Sequence, residues 1–105
     1  LTSPFPSNPE TVKAGSLLYN TNCAMCHGNT GKGDGAVSPF LVKWKYSSAP
    51  DLTQDPTQNR SDGDMFRVIT FTLVPGRSPM PQFGKLLNEK ERWELVHFIR
   101  SLVEQ

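Results

Sequence analysis

Cys23 and Cys26 stand three residues apart, and a histidine, His27, follows directly on the second. One turn of helix places both sulfurs beneath the two vinyl groups of a porphyrin while the next side chain reaches the metal at its centre. C-x-x-C-H is the signature of covalent c-type haem attachment, so Cys23 and Cys26 read as thioether anchors and His27 as the proximal iron ligand. A zinc site would need two further Cys or His ligands at suitable spacing, and the other histidine, His97, is far away near the C-terminus. A thioredoxin-like pair would want a βαβ pattern around the cysteines, and none is visible. A plain disulfide accounts for the cysteines but leaves His27 unexplained.

A chain of 105 residues is bounded to one domain and buries a limited core, which a large apolar prosthetic group would enlarge. The formal charge is +1 and 36% of residues are hydrophobic. No basic run or stripe speaks for nucleic acid, and no apolar run reaches the ~20 residues that span a bilayer. A sequence opening on Leu1 rather than methionine is expected to continue upstream, into a signal peptide, a lipid-anchored linker or a larger domain.

The elements that must position the motif follow from the chain. Residues 1–9 carry three prolines and read as an arm or tether, or as an extension packed on the surface; residues 10–105 read as the domain. A helix is predicted from about Pro9 to Asn20 with Asn8 as N-cap, and Gly15 and Tyr19 lie four apart on one face. A glycine inside a helix predicts close approach of another backbone. The run from Gly28 to Gly35 holds four glycines in eight residues and reads as a tight loop rimming the haem, not a phosphate loop. Val37 to Ser48 has no clean period and is left as loop with one short helical turn.

A proline carbonyl is a suitable acceptor for the second ring nitrogen of His27. Pro39 and Pro50 are the candidates, each followed two residues later by a leucine, Leu41 or Leu52; Pro50 is preferred. A second helix is predicted over Asp62–Thr72, with Met65, Phe66, Ile69 and Leu73 at helical spacing. Prolines at 75, 79 and 81 then present Met80 on a stiff extended loop. The last helix is predicted over Asn88–Val103, with Asn88 and Glu91 as a capping box and Leu95, Phe98, Ile99 and Leu102 as its apolar face. His97 falls beside that face and is expected to be partly exposed, and Trp93 either covers a groove or lies on the surface.

From about Lys13 to Val103 the sequence resembles class I, single-haem cytochrome c. The resemblance rests on Cys23, Cys26 and His27, on Gly15 and Tyr19, on Met80-Pro81 after a proline-rich loop, and on the closing helix with Phe98. Gly-Lys-Gly-Asp-Gly at 31–35 and Ala-Pro-Asp-Leu-Thr at 49–53 look most like bacterial cytochromes attached to respiratory oxidases and quinol-oxidising complexes. The resemblance implies an all-α fold, with N- and C-terminal helices crossing and three to five helices wrapped around one haem c. It implies Met80 as the distal ligand, so that His27 and Met80 hold the iron. Arg77 is the preferred donor to the haem propionates, with Trp44, Tyr46 and Arg60 as further candidates. Lys32, Lys43, Lys45 and Lys85 are candidates for steering an acidic partner.

One-electron transfer follows as the expected function, because His/Met ligation leaves no open position on the iron. A haem enzyme or gas sensor in which Met80 dissociates is the alternative, and a haem-free thiol-redox module a third. The resemblance further implies redox protein partners such as a quinol-oxidising complex and a terminal oxidase. No nucleic acid is expected, for want of a basic run, and membrane contact only through a possible upstream tether. The expected location is extracytoplasmic, in the periplasm or on the outer face of the cytoplasmic membrane.

Overall fold

A computed structural model describes residues 1–74 and 78–103. Among the described residues five α-helices follow one another: α1 (Pro9–Asn22), α2 (Ala24–His27), α3 (Ser38–Lys43), α4 (Asp62–Phe71) and α5 (Glu89–Ser101), with a 3-10 turn at Phe83–Lys85 before the last. No strand occurs among the described residues, and the fold is all-α as expected.

Both long terminal helices start where side chains can satisfy free backbone groups. Asn8 accepts from the Thr11 amide while the Thr11 hydroxyl accepts from that of Asn8, and Pro9 takes the first helical position. Asn88 and Glu91 repeat the exchange at the start of α5. The helices cross at Gly15. A Cβ there would stand 2.8 Å from both the Glu94 carbonyl carbon and Phe98 Cβ, so no side chain fits. One turn on, the fully buried Tyr19 ring lies 4.9 Å from that of Phe98, and its hydroxyl donates to the Gly28 carbonyl at 2.5 Å. Burial, with Cys23 and Asp34 adding to it, raises the Tyr19 hydroxyl above its ordinary range and keeps it a donor. The crossing is thereby tied to the residue that follows the haem motif.

Helix α5 is more deeply enclosed than its apolar spacing predicts. Trp93 is 1% exposed and stacks on Phe66 of α4 with centroids 4.2 Å apart, which places it in the core. Arg92 lies over the same Phe66 ring and donates to the Thr70 hydroxyl. His97, expected to be partly exposed, is 6% exposed: its Nε2 lies 3.0 Å from the Phe5 carbonyl oxygen and 3.1 Å from the Ser3 hydroxyl. The proline-rich start of the chain covers it, with Phe5 packed on the core. A polar side chain off the apolar stripe is buried because another segment brings it a partner. At the helix end, Arg100 donates to Asp62, to the Gln58 carbonyl and to the Arg60 carbonyl, fastening the loop before α4.

Helix α4 is capped by Ser61, which accepts from Asp64, and stops at Phe71, one residue short of the expected end. Thr72 has φ 64 and ψ 170, a conformation that costs a β-branched residue roughly 1–3 kcal/mol. Leu73 therefore leaves the helical face on which its spacing put it and is exposed. In the stretch left as loop, α3 makes six residues of helix from Ser38 to Lys43, with Pro39 in its first turn.

Candidate haem site

The motif occupies one turn attached to the end of α1. The Cys23 amide donates to the Tyr19 carbonyl at 2.8 Å and the His27 amide to the Cys23 carbonyl at 3.0 Å, so Cys23, Cys26 and His27 share a short rigid stem. The glycine-rich run then folds back onto it. Gly33 donates to the His27 carbonyl at 2.7 Å, Gly35 to that of Cys26 at 3.1 Å, and Val37 to that of Met25 at 3.0 Å. These bonds take up carbonyls that the end of a helix leaves free.

The same loop carries the segment that orients His27. The Leu52 amide donates to the Gly31 carbonyl at 2.6 Å, holding residues 49–53 alongside, and Asp51 accepts from both the amide and the hydroxyl of Thr53 to close the turn. These two bonds to Thr53 hold the Asp51 carboxyl below its usual range. The Pro50 carbonyl oxygen lies 3.2 Å from His27 Nδ1. A carbonyl can only accept, so Nδ1 carries the proton and Nε2 keeps its lone pair for a metal. Burial pushes the His27 pKa down, against an upward pull from the Pro50 carbonyl, and so favours the neutral imidazole that ligation requires. Pro39 lies in α3 instead.

Gly33 is what allows this approach: its φ is 85°, and a Cβ would meet the Ala49 carbonyl oxygen at 2.6 Å. Gly33→Ala is expected to cost about 2 kcal/mol or more from the left-handed backbone and the clash together. A denaturation midpoint equal to the parent's would contradict this packing.

Cys23, Cys26, His27, Pro50, Leu52, Tyr46 and Met80 all line a single cavity of about 640 Å³. Met80 enters it from a turn in which its amide donates to the Ser78 hydroxyl at 3.1 Å, with Pro79 and Pro81 on either side. Arg77 lies outside the described residues. Trp44 does not line the cavity, whereas Arg60 does. The residues that sequence reasoning passed over are mostly walls: Leu41, Val68, Phe83, Leu95 and Ile99. Helical spacing marks Leu95 and Ile99 as one face, but nothing in it says whether that face meets protein or cofactor.

The donor set fits a haem. Both thiols are free, and burial, with Cys26 adding to it, pushes the Cys23 pKa up to about 12. So protonated a thiol is a poor redox nucleophile, which counts against a thiol-exchange module. Among the described residues the charged side chains lining the cavity are Lys45 and Arg60, both cationic, and a mainly apolar chamber with two cations in its lining suits a ligand that is apolar with an anionic edge.

Crossed terminal helices, a C-x-x-C-H turn and a proline-flanked methionine lining the same cavity define a class I single-haem cytochrome c, whose cofactor is covalently bound haem c. The chain belongs to the family described as cytochrome c oxidase, cbb3-type, subunit III, which matches residues 10–99. It is 26% identical over 102 residues to cytochrome c550 of Pseudomonas aeruginosa, covering 94% of this chain and 61% of that one. It is 34% identical over 98 residues to the cytochrome bc1 complex cytochrome c subunit of Corynebacterium diphtheriae, covering 92% of this chain and 29% of that one. Among solved structures, a chain of the reducing HAO-like protein complex of Kuenenia stuttgartiensis is similar with a TM-score of 0.75 and 29% identity, over 96% of this chain and 47% of that one. The chain thus spans less than two thirds of the length of each of these proteins.

Proposed function

We propose that the chain is a one-electron carrier of a respiratory-type electron-transfer chain, with haem c bonded to Cys23 and Cys26 and ligated by His27 and Met80. The observation that carries this reading is the single cavity shared by the two thiols, the imidazole and the thioether. When bound, the haem supplies a ferrous/ferric couple, and a neutral thioether ligand favours its reduced form. The chain's own residues supply rigidity and a dry environment. Pro50 fixes the tautomer and direction of His27. Ser78 and the flanking prolines limit the conformations of Met80. Leu41, Val68, Leu95 and Ile99 keep water from the cavity, which also favours the less charged state of the metal. Half-buried Arg60 and the Tyr46 hydroxyl would take the carboxylate edge, and Arg77 remains the further donor proposed for it.

In this reading residues 10–105 are the cytochrome domain and residues 1–9 an arm laid on α5. The protein is not itself an enzyme. The described cavity lining has no carboxylate and no histidine besides His27, which counts against the alternative in which Met80 leaves and substrate or gas enters. Its donor and acceptor are redox proteins such as a quinol-oxidising complex and a terminal oxidase, a choice supported by the bc1 relative and the oxidase family. Its location is extracytoplasmic, in the periplasm or on the outer face of the cytoplasmic membrane. Among the described residues no helix is long and apolar enough to cross a membrane.

The test is expression with export and haem-maturation machinery, followed by mass measurement and a redox titration. The expected protein is coloured, heavier by one haem, low-spin in both states and reversible with one electron. A colourless product, or a five-coordinate iron at neutral pH, would overturn the assignment.

A further inference from the structure

The surface beside the haem cavity carries a feature that the electron-carrier reading does not use. Phe40, Val42 and Trp44 are 47%, 61% and 59% exposed, three large apolar side chains within five residues, and the Phe40 and Trp44 rings lie 5.7 Å apart. None of the three lines the haem cavity, so the cofactor does not cover them. Single exposed apolar residues are ordinary, but a cluster of this kind marks a contact surface.

Charge and position indicate what covers it. Between residues 35 and 50 there is no aspartate or glutamate, although the chain holds ten of them, and the charged side chains there are Lys43 and Lys45. The next residues along the ridge, Lys45 and Tyr46, line the cavity itself, so the ridge forms part of its rim. Lys32 lies elsewhere, along a polar groove with Asn29, Thr30 and Gln54. Two cations are fewer than the four to eight that commonly hold a basic segment on an anionic bilayer. Aromatic anchors with charges at their edge instead suit a protein interface.

Resting on the electron-carrier reading, we infer that α3 and the residues just after it form the docking face for the redox partner, and that the partner presents an apolar patch edged by carboxylates. Docked there, the partner meets the rim of the haem cavity directly.

The test follows oxidation of the reduced holoprotein by plastocyanin, an acidic blue-copper protein, in stopped flow; one electron passes to cupric copper, which becomes cuprous, and no proton moves. Benzoquinone, small and uncharged, serves as the second oxidant, taking one electron from each of two reduced haems and two protons from water to become hydroquinone. Lys43→Glu is expected to slow the plastocyanin reaction about fivefold or more at low salt and to flatten its salt dependence. The double variant F40S/W44S is expected to slow it by a similar factor while keeping the salt dependence. Both should match the parent in midpoint potential, in thermal midpoint and with benzoquinone, and Lys32→Glu should match it with plastocyanin. Parent-like rates for the α3 variants, an equal loss for Lys32→Glu, or retention of the parent by phosphatidylglycerol vesicles through Trp44 would each overturn the assignment of this face to a protein partner. Failure of the parent to give a reversible one-electron midpoint in a redox titration would sink the carrier reading instead.

Discussion

With Cys23 and Cys26 as the proposed haem anchors, Met80→Ala should leave the protein coloured but expose the sixth position of the iron. Cyanide and carbon monoxide, which the parent is expected to bind poorly, should then bind readily at neutral pH. The midpoint potential should fall on the order of 0.1 V or more, within the ~0.8 V over which axial ligands set haem potentials. The thermal midpoint is a weaker readout, since Met80 is half-buried and sits on a turn rather than in a helix. Unaltered ligand binding and potential would show that another side chain completes the metal site. Among the residues lining the described cavity, the remaining sulfur besides the two cysteines is that of Met65, on α4.

The largest effect on stability is expected at the helix crossing. Tyr19→Ala removes a fully buried ring from against Phe98, together with the hydrogen bond to the Gly28 carbonyl. Truncations of this size cost about 3–5 kcal/mol. For a domain of this length the thermal midpoint should drop by at least ~12 °C. Tyr19→Phe keeps the ring and should cost only about 1 kcal/mol, because the Gly28 carbonyl still accepts from the Gly31 amide at 3.2 Å. Equal midpoints for the two variants would mean that the ring is not what holds the helices together.

Much of the site is legible in the residues because its chemistry is local. Cys23, Cys26 and His27 announce themselves within five positions, and Asn8 and Asn88 mark helix starts through side-chain to backbone bonds that span three residues. What escapes is set by distant partners. Two proline carbonyls are candidates for His27 on paper, with Pro50 preferred, and the choice is settled by the Gly31 to Leu52 bond that brings residues 49–53 alongside the motif. His97 looks like a surface residue until the proline-rich arm is laid over it. Leu73 keeps helical spacing, yet Thr72 turns the backbone away before it, and nothing in a threonine foretells a conformation that favours glycine. Helical periodicity finds Leu95 and Ile99 but cannot separate a wall that faces protein from one that faces a cofactor.

The contact at Gly15 also dictates an order of events. Its partners Glu94 and Phe98 sit about 80 residues further along, so the chain must close a long loop before the two helices can bury each other. A chain that lacks its last segment cannot bring the Phe98 ring against Tyr19, nor Leu95 and Ile99 to the wall of the cavity. Closing of the chamber therefore waits on the far end of the chain.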